Sequence, residues 1–265
     1  MQKIPKISQS LIKAYYDYVA DKECGIFFQE KYINKNPKAV TPPSEAMEVG
    51  IYFEYLCTGA LPRSGETPYP KMAYAGTARE KLSAPYERAT ESAEFFKKII
   101  NHYDIKIIEI GKVIEVGELN GIIDIYAEWD GKPCFIDLKY SGLYNDKWHE
   151  MGWEVESLQF KDSLMIQAVH YKKLWELLGN GEIDFYFFVF DSANSQNAKI
   201  IKADVDESKM AAQDVVVSNT MNGIRAKVEN GGFTPKPELE RCNKCPLNTD
   251  CKYAVKYPLI HQVYY

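Results

Sequence analysis

The chain has 265 residues, a net charge of −5, 46% hydrophobic residues and 26% charged ones. That mix excludes a mainly disordered, collagen-like or coiled-coil chain, and the length suffices to bury a sizeable core. The apolar runs are too short for a transmembrane helix, and the opening MQKIPKISQS lacks the apolar stretch of a secretory signal. The expectation is a cytoplasmic protein with no membrane partner, its six cysteines being thiols or metal ligands rather than disulfides.

A uniformly acidic chain is a poor candidate for nucleic-acid binding. This one is not uniform: residues 1–40 carry +3, residues 41–224 carry −11, and residues 225–265 carry +3. Both basic ends contain cysteine.

The spacing predicts a helix from Ser8 to Ala20, with Ser8 or Ser10 as N-cap, and a second helical stretch after Cys24. Thr41-Pro42-Pro43-Ser44 opens a third helix, Glu45 to Gly59. Three prolines make Leu61 to Pro70 a loop, and Tyr86 to Tyr103 is helical. The pattern then changes. Ile105 to Gly117, Leu119 to Trp129 and Lys132 to Tyr140 are predicted strands, the last two joined by an Asp130-Gly131 hairpin turn. A helix from Leu158 to Leu178, strands at Ile183–Asp191 and Lys199–Val205, and a helix from Glu207 to Glu229 follow. This order predicts an α/β fold, a mixed sheet flanked by helices.

The hairpin carries the first chemistry. A two-residue turn pairs Trp129 with Lys132, and stepping back along both strands brings Asp124 opposite Asp137. Lys139 faces the same way as Asp137. Two like charges on a half-buried strand pair need compensation, from Lys139 or from a hard divalent cation. Further on, Gln167 and Tyr171 stand four apart and share one helical face.

Cys242-x2-Cys245-Pro-x4-Cys251 is the second signal. Three close thiols can jointly hold a soft metal centre, with Cys24 the best fourth ligand; four thiolates fit iron–sulfur and zinc alike. Cys57 and Cys134 sit in a helix and a strand and read as small core residues. His149 and His170 are weak catalytic candidates, because no nucleophile is placed with either.

Gly121-Ile-Ile-Asp124 followed by Ile136-Asp137-Leu138-Lys139 resembles the D…(D/E)-x-K signature of the PD-(D/E)XK nucleases. Gln167-x3-Tyr171 is similar to the motif of their RecB branch. Gly50 and Glu54 fall where that branch has Gly and, four residues later, a metal-binding His, so this sequence departs there by carrying a carboxylate. One distant cysteine plus the C-terminal triad is similar to the iron–sulfur nucleases of that branch, such as CRISPR-associated RecB-like exonucleases and the AddB nuclease domain. The resemblance spans Ser8 to about Tyr253; each motif is short, and their order is the specific part.

The resemblance implies a restriction-endonuclease-like domain over residues 1–265. Residues 41–224 would be the nuclease core, and residues 1–40 and 225–265 would be joined at a 4Fe–4S cluster on Cys24, Cys242, Cys245 and Cys251, with zinc as the alternative. It implies Mg²⁺ or Mn²⁺ held by Asp124, Asp137, Glu54 and the Leu138 carbonyl, catalysis with Lys139, and positioning of a DNA strand by Gln167 and Tyr171. The implied activity is a DNA exonuclease on single strands or duplex ends, in recombination, repair, phage replication or CRISPR-type processing. No helicase motor is encoded, so a helicase or other recombination protein would be the partner for unwinding. The alternative is a non-catalytic DNA-binding or assembly module.

Overall fold

The computed structural model describes residues 4–62, 64–75, 79–145 and 158–257. The chain divides into two compact units, Pro43–Met210 in one and Met1–Pro42 with Ala211–Tyr265 in the other.

The Pro43–Met210 unit is built on a five-stranded sheet. Its strands are β3 (Lys106–Val116), β4 (Leu119–Trp129), β5 (Lys132–Ser141), β6 (Asp184–Asp191) and β7 (Ala198–Lys202), side by side in that order. A small hairpin of β1 (Met72–Ala75) and β2 (Arg79–Leu82) precedes it. The sequence pattern did not predict this hairpin; four-residue strands are too short for alternation to show. All neighbours in the large sheet are antiparallel except β5 and β6, which are parallel and joined through α5 (Leu158–Leu177). A parallel pair needs such a crossover.

Helices α3 (Glu45–Thr58) and α4 (Ala84–His102) pack on one face of the sheet. Val49, Phe53, Ala89 and Phe96 meet Ile125, Ile136, Leu138, Phe188 and Phe190 there. On the other face Ala168, Tyr171 and Leu174 of α5 meet Phe135, Phe185, Phe187 and Val189. Strand β6 is therefore covered on both faces, which is why Phe185 to Phe190 reads as an unbroken apolar run. Local signals set the ends of the helices. Ser44 accepts the Met47 N–H at 3.3 Å as the N-cap of α3, and Gly59 closes that helix in the left-handed conformation, φ 72°.

The other unit holds α1 (Gln9–Val19), α2 (Gly25–Phe28), which runs into a π-helical turn at Gln29–Ile33, most of α6 (Glu207–Glu229) and the short α7 (Leu239–Lys244). Ser8 caps α1 by accepting the Leu11 N–H at 3.2 Å. Rings of Tyr18, Phe28 and Phe233 pack together, with centroids 4.8–5.9 Å apart. Here residues from the two ends of the chain form one core: Lys236 Nζ donates to the Tyr18 carbonyl at 2.6 Å, and Phe233 N–H to the Gln29 side chain at 3.1 Å. Among the described residues no helix is long and apolar enough to cross a membrane.

Candidate active site and thiol cavity

Asp130 and Gly131 both have positive φ, 51° and 73°, as the predicted two-residue hairpin turn requires. Trp129 pairs with Lys132, and the ladder runs in that register as far as Ile125 opposite Ile136. It stops one step before the acids. From there β4 continues beside β3 alone, while β5 continues beside β6. The two strands fork at Asp124 and Asp137. At the fork a side chain replaces the ladder: the Leu138 N–H donates to Asp124 Oδ2 at 2.9 Å.

Strand β4 also turns over at this point. Ile123 packs on the α5 face, whereas Ile125 and Ala127, which a regular pleat would place beside it, pack on the α3–α4 face. Gly111, across from Asp124 on β3, has a positive φ of 64° and interrupts the pairing there. Asp124 thus sits on a kink that neither flanking pattern of alternation reveals.

Asp137 is buried, 3% exposed, and its two oxygens are treated differently. Oδ1 accepts a hydrogen bond from the Gln167 amide, which α5 presents over the sheet. Oδ2 contacts the Lys139 ammonium, two residues on along the same face, but accepts no well-aligned hydrogen bond. Lys139 in turn lies 5.9 Å above the centroid of the Phe187 ring. Burial, then the neighbouring Asp137 charge, pushes the pKa of Asp124 well above the carboxylate range, with Glu54 adding to it and Lys139 and the Leu138 N–H opposing it. For Lys139 burial works against the charge, but Asp137, Asp124 and Glu54 together outweigh it and hold the ammonium above its usual value. Glu54, exposed on α3, is therefore close enough for its charge to act on both groups. The structure brings Asp124, Asp137, Lys139, Gln167 and, electrostatically, Glu54 into one neighbourhood.

Tyr171 is different. Its ring is 5% exposed, stacked 6.0 Å from Phe185, and it occupies the space where a Cβ on Gly121 would stand, 2.5 Å away. It packs α5 onto the sheet and has little surface to offer a DNA strand. The glycine within the β4 run was the available signal for such a close approach. His170 is also buried; its Nε2 lies 2.9 Å from the Asn120 carbonyl, and burial lowers its pKa, so it is a neutral core group. His149 lies outside the described residues. The backbone N–H of Leu138 carried no sequence signal, because any residue at that position would supply it.

In the other unit, Cys24, Cys242, Cys245 and Cys251 line one cavity of about 250 Å³, with Phe27 and Leu247 among its walls. Cys24 is the residue before α2; Cys242 lies in α7 and Cys245 just after it. Burial, and beyond it the presence of Cys24, Cys251 and Cys242, raises the pKa of Cys245. All six cysteines are free of disulfides. Cys134 is buried, its thiol pushed up to about 12 by burial, and Cys57 packs against the α3–α4 core. Several basic side chains of this unit are matched by acids: Lys38 with Asp250 at 2.6 Å, Arg241 with Glu238 at 3.1 Å, Lys244 with Glu240 at 2.6 Å, and Lys236 with Asp21. These acids belong to the same two segments, so the pairs leave the net excess of the ends unchanged and show only which basic side chains already have a partner. Among the described residues no three His, Cys, Asp or Glu side chains are gathered to hold a single metal ion.

No protein-family model matches the chain, and a search of curated proteins finds no match. Solved structures do match. The chain is similar in fold to a protein from Eubacterium rectale named "Putative exonuclease". The two align with a TM-score of 0.63 and 19% identity over 96% of this chain and 93% of that one. At that identity the likeness shows a shared mixed α/β fold. A second structure, SSO0001, aligns over 62% of this chain with a TM-score of 0.29 and carries no argument.

Proposed function

We propose that this chain is a metal-dependent deoxyribonuclease that hydrolyses phosphodiester bonds of single strands or duplex ends. The observation that carries the reading is the fork of β4 and β5. It sets two acids close together, one with its pKa raised well above its usual value by burial and by the other, and puts the buried outer oxygen of the second against the Lys139 ammonium. One lysine supplies a single positive charge to two carboxylates, and a divalent cation would supply the rest. Mg²⁺ or Mn²⁺ suits it. These ions commonly take one or two carboxylates and complete their shell with water and substrate phosphate, so three converging side chains are not required. Asp124, Asp137, Glu54 and the Leu138 carbonyl are the groups assigned to hold the ion. When bound, it would acidify a water and polarise the scissile phosphate.

The chain's own groups divide the remaining work. Lys139, kept cationic by the acids around it, is aimed to stabilise charge developing on the phosphoryl oxygens. Gln167 fixes one oxygen of Asp137, and the Lys139 ammonium stands against the other. The Leu138 N–H fixes Asp124 in the same way. The fold shared with a protein named as an exonuclease supports the class of reaction and favours action at ends.

The thiol cavity supports a 4Fe–4S cluster as the second cofactor. A zinc ion needs four sulfurs about 2.3 Å from one point, whereas a polynuclear cluster needs space between them. The four cysteines line one cavity of about 250 Å³, which leaves space between them for a polynuclear cluster.

End-labelled and circular DNA incubated with Mn²⁺ test the activity. Wild type should digest the labelled linear DNA and spare the circle, and Lys139→Ala should digest neither while keeping the wild-type circular dichroism spectrum. Absence of cleavage by wild type, purified with its iron, would favour a non-catalytic DNA-binding module instead.

A further inference from the structure

Glycines inside helices and strands need a reason, because they weaken both. Most here have one in a neighbouring atom. A Cβ on Gly25 would stand 2.3 Å from the Thr234 carbonyl, on Gly121 2.5 Å from Tyr171, and on Gly223 1.8 Å from the Tyr15 hydroxyl. Gly50 has none. It lies in the interior of α3, away from the left-handed region, and a Cβ built on it meets nothing within 4 Å among the described residues. Alanine there would favour the helix more and disturb no described neighbour.

The position of Gly50 suggests what the bare backbone is for. It follows Met47 by three residues and precedes Glu54 by four, so the three form one stripe along α3. The buried side of the helix is carried instead by Val49, Tyr52 and Phe53. Met47 is 59% exposed and Glu54 is exposed as well. Val49 and Phe53 of the same helix pack on Ile125, Ile136 and Leu138, the strand positions next to the acids, and the charge of Glu54 acts on Asp124 and Lys139, so the stripe runs toward the acid pair.

We infer that Gly50 is a substrate-contact residue: the nucleotide beside the cleaved bond lies against the α3 backbone, and the missing side chain makes room for it. The contact is with an uncharged part of the nucleotide, a deoxyribose or a base. Helix α3 has no Lys or Arg to hold a phosphate, and the apolar Met47 continues the same stripe. This inference rests on the nuclease reading above.

The test compares full-length wild type, Gly50→Ala and Gly50→Leu in thermal melts and in Mn²⁺-dependent digestion of a single-stranded oligonucleotide over a range of salt. Gly50→Ala should melt at or above the wild-type temperature. Its kcat/KM should fall by about tenfold, the cost of displacing a reacting group by a fraction of an ångström, and Gly50→Leu should fall further. The salt dependence should keep its slope, since no phosphate contact is lost. Wild-type kinetics in both variants would overturn the inference, as would a lower melting temperature for Gly50→Ala, which would make the glycine a packing residue. A slope shallower by about one unit would overturn the uncharged contact. Inactive wild type is a separate outcome: it removes the nuclease reading, and this inference with it.

Discussion

The fork in the sheet and the thiol cavity solve opposite problems. At the fork, a complete hydrophobic core on both faces of the sheet holds Asp124 and Asp137 together although they repel. The core supplies the stability and the site consumes part of it. At the cavity the apolar packing is modest: Phe27, Ala39 and Leu247, with three of the cysteines against them. There the ligands come from residues more than 200 positions apart in sequence, and the bound group is what would join them. The first site should work best when occupied but stand without its ion. The second should depend on its cluster for order.

The largest expected effect follows from that dependence. In Cys245→Ala the cluster should be lost, iron content should drop toward zero, and thermal melting should shift down strongly. Structural zinc in finger peptides is worth about 10–16 kcal/mol, and a four-thiolate cluster site belongs to the same class of coupling. An unchanged melting temperature with full iron content would erase the contrast between the two regions.

A middle-sized effect belongs to the group that orients Asp137. Gln167→Leu keeps the bulk of the side chain but removes the amide that donates to Oδ1. Loss of such a supporting hydrogen bond typically costs about 10–100-fold in activity or metal affinity. Nuclease kinetics across a Mn²⁺ titration should show this loss as a raised metal requirement that excess metal partly restores. Insensitivity to the substitution would mean that Asp137 is positioned by the sheet alone.

Much of this was legible before any coordinates. The Asp130-Gly131 turn fixes the register from Trp129–Lys132 to Ile125–Ile136, because a two-residue loop leaves one pairing that suits the pleat; the expected pairing of Asp124 with Asp137 one step on is replaced by the fork. The alternation of Ile125 and Ala127, and the unbroken apolar run of β6, predicted strands correctly because each encodes how many faces are covered. Three things were hidden. The fork itself is a backbone event: the Leu138 N–H that Asp124 accepts has no side-chain signature. The burial of Tyr171 depends on Gly121, fifty residues earlier, so helical spacing could not tell a DNA contact from a core ring. The pairing of Lys38 with Asp250 and of Lys236 with Asp21 is tertiary, so a charge count could not tell which basic side chains of the two ends already have a partner.

The smallest effect has the opposite sign to the first. Asp124 has a folded-state pKa raised above its ordinary value of 3.8, by burial first and by Asp137 second. A group of that kind binds its proton more tightly in the folded than in the unfolded chain. Its contribution to stability is fully present below pH 3.8 and is lost as pH rises through the raised folded value. At neutral pH, without a cation, the charge is therefore a burden on the fold. Asp124→Asn removes that burden and retains an oxygen able to accept the Leu138 N–H. Metal-free Asp124→Asn should be more stable than metal-free wild type at pH 7 by about 0.5–2 kcal/mol, the usual size of gains made at functional sites. The gain should shrink as the pH is lowered and wild-type Asp124 takes up its proton. Urea unfolding at several pH values, with and without Mn²⁺, measures it. A destabilised Asp124→Asn at pH 7 would mean that Lys139 already compensates both acids. The fork would then be a satisfied ion-pair network and not a site waiting for a cation.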